Sequence, residues 1–212
     1  MHINENCGEI FKGDLQKGGQ PVFEIRLHGR GGQGVVTAAE LLSVAAFHEG
    51  RHAQAFPSFG SERMGAPVAS YCRIADAEIR LREPIVEPDA LIIQDSTLLH
   101  SVDVFAGLGP DGFLLINSTR SFTELGVAEF TDRFPPGHAR SIDATDIARR
   151  HIGRPVPNAA LLGGFAALTR RLEIGSVLAA IRERFAGPVG AANAAAAQEA
   201  HDTVLRAEGC LS

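Results

Sequence analysis

Residues Leu27–Thr37 read LHGRGGQGVVT. Before them, VFEIRLHG alternates apolar and polar residues, as a half-buried strand over about Val22–His28 does. After them, VVTAAELLSVAAFHEG spaces Val36, Ala39, Leu42, Val44, Ala45 and Ala46 at near-helical intervals, with Gly50 as a stop signal. Strand, glycine loop and helix in that order aim backbone N–H groups and a helix N-terminus at an anion. Gly29, Gly31 and Gly34 satisfy GxGxxG.

That pattern has several readings. A dinucleotide fold also needs an acid about 20 residues on, at the end of the second strand, to hold ribose hydroxyls. The neighbourhood here is RHAQAFPSFG, which lacks one. A P-loop needs Lys followed by Ser or Thr after the glycines, and neither follows. Three readings stay open: a phosphate-bearing ligand or partner cofactor, glycines that only let helix and strand pack closely, and, weakened by the missing acid, NAD within this chain.

Working outward, HAQAF reads as a short second strand, and VASYCRI and EIRLR as two strands joined by a hairpin-like turn at Ala75–Asp76–Ala77. DALIIQD and DGFLLINS are continuous apolar runs of the kind found in buried parallel strands, with a short helix expected between them at Thr97–Ala106. The rest is mostly helical. Asp143 or Thr145 caps ATDIARRHIG, and Asn158 caps NAALLGGFAALTRRLEI, whose stripe is Leu161, Leu162, Phe165 and Leu168. GSVLAAIRERFAG and NAAAAQEAHDTVLRAEG follow. This alternation predicts an α/β fold: a single Rossmann-like domain with a mostly parallel sheet and a helical C-terminal part.

A second stretch, AFPSFGSERMGAP at Ala55–Pro67, mixes Phe56, Phe59 and Met64 with glycine and proline and carries Ser61, Glu62 and Arg63 side by side. In an open α/β sheet the loop after the second strand lies near the loop after the first, at the carboxyl edge. Arg63 then faces the crevice of Gly31–Gly34 and adds a charge-assisted contact to a phosphate; alternatively it pairs with a surface acid while the phenylalanines are core. His28, Asp95, Ser96, Thr97 and Asn117–Ser118–Thr119 end predicted strands, where they either meet a ligand or fill structural and capping roles.

Composition narrows the classes. The chain has 212 residues and a net charge of −5, which argues against a general nucleic-acid binder. No run of 18 apolar residues suggests a membrane span. Residues 1–20 are polar and glycine-rich, and are expected to form a flexible or partner-contacting arm of a cytoplasmic protein. Cys7, Cys72 and Cys210 are scattered and form no CxxC pair, so the chain alone is not expected to ligate an iron–sulfur cluster or a zinc. The sequence shows no HExxH spacing, GxSxG elbow or coherent Ser/His/Asp set. A complete active site is not expected within it.

Four blocks, FEIRLHGRGGQGVVTAAELLSVAAF, AQAFPSFGSERMGAPV, IRLREPIVEPDALIIQD and VPNAALLGGFAAL, resemble the gamma subunit of 2-oxoacid:acceptor oxidoreductases of the pyruvate:ferredoxin type. The similarity runs from about Val22 to Asp202, so residues 21–212 are expected to be one gamma module. The resemblance implies oxidative decarboxylation of a 2-oxo acid to its acyl-CoA. It implies thiamine diphosphate, Mg2+ and [4Fe-4S] clusters on partner subunits of alpha, beta and delta type, with ferredoxin or an NAD-linked subunit as acceptor. It places a shared coenzyme A site at Gly29, Arg30, Gly31, Gly32, Gln33 and Gly34 with Ser61 and Arg63. The family loop at Ser61–Gly65 carries several basic residues in fused pyruvate enzymes; here only Arg63 is basic. Two other classes stay open: a purely structural subunit, and a stand-alone nucleotide-binding enzyme.

Overall fold

The computed structural model describes residues 21–58, 64–81 and 83–209. The expected arm at residues 1–20, Ser61 and Arg63 lie outside the described residues. A six-stranded sheet has the order β2-β3-β1-β4-β5-β6. Its strands are β1 (Val22–Arg30), β2 (His52–Pro57), β3 (Pro67–Ala75), β4 (Ala90–Ile93), β5 (Phe113–Asn117) and β6 (Ala139–Ile142). The pairs β1–β4, β4–β5 and β5–β6 are parallel; β3 runs antiparallel to both β1 and β2. The α/β class and mostly parallel sheet are as expected.

EIRLR is not a strand: residues 78–81 are irregular. The reason is edge availability. A hairpin would pair this segment with β3, which already pairs on one side with β2 and on the other with β1, so the segment after Ala75 finds no free edge on its hairpin partner. The turn at Ala75–Asp76–Ala77 therefore ends β3 without starting a hairpin. Strand β6, short and partly exposed, carries no apolar alternation and escapes a sequence reading.

One face of β1 points Phe23, Ile25 and Leu27 into the main core. Helix α1 (Val35–His48) covers it with Val35, Ala38, Ala39, Leu41, Leu42, Ala45 and Ala46. On the opposite face, Leu91 and Ile93 of β4 and Leu114 and Ile116 of β5 form a second core with Leu98, Val104 and Leu108. After a short helix α2 (Ala128–Thr131), the C-terminal helices are α3 (Ala144–Ile152), α4 (Asn158–Thr169), α5 (Ile174–Arg184) and α6 (Gly187–Gly209).

Every residue of α4 is buried, so it is not the amphipathic helix its leucine stripe suggests. It is the central rod of the helical layer, apolar all round because it is covered all round. Gly163 lets α6 approach: a Cβ there would fall on the carbonyl of Ala197. Asn158 is the first residue of α4 rather than its cap, and its Oδ1 accepts the Ala159 N–H at 2.8 Å. Asp143 does cap α3, accepting the Asp146 N–H at 2.9 Å. The stretch expected as a helix over Thr97–Ala106 is a 3-10 turn, Ser96–His100, capped by Asp95 rather than Ser96.

Candidate anion site at the carboxyl edge

After β1, α1 carries the chain across one face of the sheet towards β2; after β4, the 3-10 turn carries it across the other face towards β5. The carboxyl ends of β1 and β4 therefore bracket a topological switch point, where open α/β sheets bind ligands. The glycine loop sits there.

The loop's backbone needs its glycines. Gly32 has φ 92° and Gly34 φ 76°, both in the left-handed region. A Cβ on Gly29 would meet Val35 Cγ2 at 2.6 Å and Gln33 Oε1 at 3.0 Å, so the helix start packs directly on the strand. Close packing and anion binding thus use the same glycines. Gly34 is the N-cap of α1 and supplies no side-chain cap. The N–H groups of Val35, Val36 and Thr37 have no carbonyl of a preceding turn to reach. The dipole of a 14-residue helix adds partial positive charge at that point. A cavity of about 290 Å³ opens there, lined by Arg30, Gly31, Gly32, Gly34, the first turn of α1 and Val68 of β3.

The loop after β2 returns to this place, as expected. Since β2 and β1 both run antiparallel to β3, their carboxyl ends share one edge of the sheet. Gly31 donates its N–H to Ala66 O at 2.9 Å and accepts the Gly65 N–H at 3.1 Å. Gly31 and Met64 form an isolated parallel bridge. Met64 is 88% exposed beside the cavity.

The polar side chains of the loop are tied down. Arg30 donates from Nη2 to Thr97 Oγ1 at 2.7 Å and from Nη1 to Gly65 O at 3.1 Å, and its Nε lies 3.2 Å from Asp95 Oδ2. Gln33 Oε1 accepts the Arg30 backbone N–H at 2.8 Å, while its Nε2 donates to Asp95 Oδ2 at 2.8 Å. Asp95 Oδ1 accepts from Thr97 N and Oγ1. Partial burial works to raise the Asp95 pKa; hydrogen bonds from Thr97 and Gln33, with the Arg30 charge, outweigh it and hold the carboxyl below its ordinary range. Of the loop residues expected to bind, the structure gathers Arg30, Gly31, Gly32 and Gly34 around the cavity, whereas Gly29 and Gln33 lie behind its wall.

Sequence reasoning missed five neighbours. Val35, Val36, Thr37 and Val68 line the cavity. Gln94, 1% exposed, follows β4 with its Cβ 3.2 Å from where a Gly29 Cβ would stand. Thr37, three positions past the N-cap, was findable from helix-start spacing; Val68 and Gln94 needed the strand order. His28 is buried and does not line the cavity. Burial first, and Arg26 second, push its imidazole down to about 4.

The absence of an acid at the end of β2 has a structural counterpart. β3 separates β2 from β1, so the end of the second strand is not the neighbour of the glycine loop that a dinucleotide fold requires. Among the described residues, no group of three or more His, Cys, Asp or Glu is placed to hold a metal ion. No described helix is long and apolar enough to cross a membrane.

A family model, pyruvate ferredoxin/flavodoxin oxidoreductase, matches residues 24–203. The pyruvate synthase subunit PorC of Methanocaldococcus jannaschii is 47% identical over 188 residues, 89% of this chain and 100% of that protein. The common subunit gamma of the pyruvate/ketoisovalerate oxidoreductases of Thermococcus kodakarensis is 48% identical, over 87% of this chain and 98% of that one. The crystal structure of pyruvate oxidoreductase subunit PORC from Thermotoga maritima superposes with a TM-score of 0.72 at 33% identity, covering 85% of this chain and 96% of that chain. The match spans strand, glycine loop, sheet and helical layer together, and the chain therefore belongs to the pyruvate ferredoxin/flavodoxin oxidoreductase family as a gamma-type subunit of an oxidoreductase complex.

Proposed function

We propose that this gamma subunit helps to form the coenzyme A site of a 2-oxo acid oxidoreductase, receiving the diphosphate of the coenzyme at the N-terminus of α1. The observation that carries the reading is the cavity itself: three main-chain donors of Val35–Thr37 face the end of a strand at a switch point, with no carboxylate among the described residues of the lining. Its volume is near the lower end of the usual range for ligand pockets, about 300–1,000 Å³, and suits part of the coenzyme rather than all of it. The remainder lies outside, towards Met64 and a neighbouring subunit.

The bound coenzyme supplies the thiol that accepts the acyl group. What this chain supplies is orientation: amide hydrogens that fix the diphosphate, and an exposed Met64 that packs against a partner and keeps water from the edge of the site. Thiamine diphosphate with Mg2+ and the [4Fe-4S] clusters belong to alpha-, beta- and delta-type partners in a cytoplasmic complex. Electrons leave from there to ferredoxin or an NAD-linked acceptor. The 2-oxo acid is pyruvate or a close homologue.

The test is hydrogen exchange on the assembled complex with and without coenzyme A. The expected result is slowed exchange at Val35–Thr37, together with acyl-CoA formation that requires the coenzyme. Protection elsewhere, with these three amides unchanged, overturns the reading in favour of a structural subunit. Activity of the isolated chain with a nucleotide cofactor would favour a stand-alone enzyme.

A further inference from the structure

The glycine loop poses a physical problem. A loop built on Gly29, Gly31, Gly32 and Gly34 is conformationally free in isolation, and Gly34 gives α1 no side-chain cap. Convergent amide donors serve an anion only if the loop is held in one shape before binding. Two side chains emerge from Gly29–Gly34, Arg30 in the cavity wall and Gln33 behind it, and both donate to the turn that follows β4.

We propose that Gln33 and Asp95 form a positioning strap that fixes the glycine loop in its anion-receiving shape, and that Arg30 anchors this strap instead of binding the anion. Gln33 uses both ends of its amide: Oε1 holds the Arg30 N–H and Nε2 holds Asp95 Oδ2, each at 2.8 Å. This closes a bridge between the carboxyl ends of β1 and β4. The same carboxylate oxygen faces Arg30 Nε at 3.2 Å, and Thr97 completes the ring by accepting from Arg30 Nη2 and donating its hydroxyl to Asp95 Oδ1. With Nη1 on Gly65 O, all three guanidinium nitrogens are engaged. Arg30 thus links three segments, the glycine loop, the turn after β4 and the loop after β2. Asp95 balances its charge, so the field in the cavity comes from the amides and the helix dipole. An acid at this edge, which a dinucleotide fold would turn towards ribose, here points back into the loop.

The inference rests on the coenzyme A reading for its ligand, and not for the strap itself. The experiment compares Gln33→Glu, Asp95→Asn and the double variant in the assembled complex, reading the coenzyme A KM, kcat and loop amide exchange. Gln33→Glu sets a second carboxylate against Asp95. It should raise KM by about tenfold or more, with a smaller fall in kcat, and speed exchange at Gly31–Thr37 while the unfolding midpoint moves little. Adding Asp95→Asn removes the clash of carboxylates and reverses donor and acceptor across the same gap, at the cost of the Asp95 contact to Arg30 Nε, so the double variant should recover part of both losses. If Gln33→Glu fails to assemble, Gln33→Met removes both hydrogen bonds without adding charge and should shift KM in the same direction. An unchanged KM and exchange in Gln33→Glu, or a double variant no better than the single, overturns the strap. If exchange responds as described but the wild-type complex needs no coenzyme A, the ligand reading falls and the strap stands.

Discussion

Glu24 and Arg73 stand directly opposite each other on β1 and β3, with Glu24 Oε1 2.7 Å from Arg73 Nε, and the arginine side chain is fully buried. Arg73 also donates from Nη2 to Glu83 O and lies over the Phe56 ring at 5.3 Å. Its position is set by the antiparallel register, which no parallel arrangement of these strands would produce. Glu24→Gln leaves a guanidinium buried without its charge partner. The expected cost is about 3 kcal/mol or more, read from the shift of a denaturant midpoint. Replacing both by apolar residues of similar volume, Glu24→Leu with Arg73→Met, should cost less than the single change.

Two adjacent glycines in α4 should answer the same substitution differently. Alanine ordinarily stabilises a helix interior over glycine by up to about 1 kcal/mol. At Gly163 the added methyl would collide with the backbone of Ala197, which cannot rotate away, so Gly163→Ala should destabilise by about 1–3 kcal/mol. At Gly164 the nearest atom is the Ile142 Cδ1 methyl, 2.9 Å off, at the far end of a flexible side chain. Gly164→Ala should lie within about 1 kcal/mol of the wild type. Equal effects at the two positions would count against this α4–α6 contact.

His28 sets a pH dependence. Its folded pKa, about 4, is below its ordinary 6.5, because burial and then Arg26 disfavour the charged form. The unfolded chain therefore binds the proton first. Stability is undiminished above pH 6.5 and falls as pH drops towards 4, by about 1.4 kcal/mol per pH unit at most. Asp95 and Glu199, whose pKa values are lowered, lose their contributions only at more acid pH, below their ordinary 3.8 and 4.5. Unfolding curves between pH 7 and 5 should show the slope in the wild type and its absence in His28→Gln.

Thr37→Asp separates stability from affinity. An acid in the first turn of a helix interacts favourably with the dipole, by about 0.3–1 kcal/mol, and α1 has none there. The same carboxylate enters the proposed diphosphate site. The melting temperature should hold or rise, and the coenzyme A KM should rise by about tenfold or more. A variant that binds the coenzyme as tightly as the wild type would place the diphosphate elsewhere.

The loop and its helix were legible because their requirements are local. Positive φ favours glycine, and a helix of this period needs the spacing of Ala39, Leu42 and Ala46. Chain order likewise sufficed to bring the loop after β2 to the glycine loop. Where reading failed, the deciding force came from elsewhere in the chain. EIRLR has strand periodicity, but β3, the strand it would form a hairpin with, is paired on both edges. The leucine stripe of α4 suggests one buried face, while packing by α1, α3, α5, α6 and the sheet buries them all.

By itself, the sequence determined the strand–glycine loop–helix unit, the α/β class and the family pattern, since each depends on residues near one another along the chain. Only the tertiary structure decided that Gln33 and Arg30 turn to Asp95 and Thr97, more than 60 residues away, and that Arg73 faces Glu24 inside the protein. Long side chains choose partners by strand order and register, and those follow from which edges remain free once the whole sheet has formed.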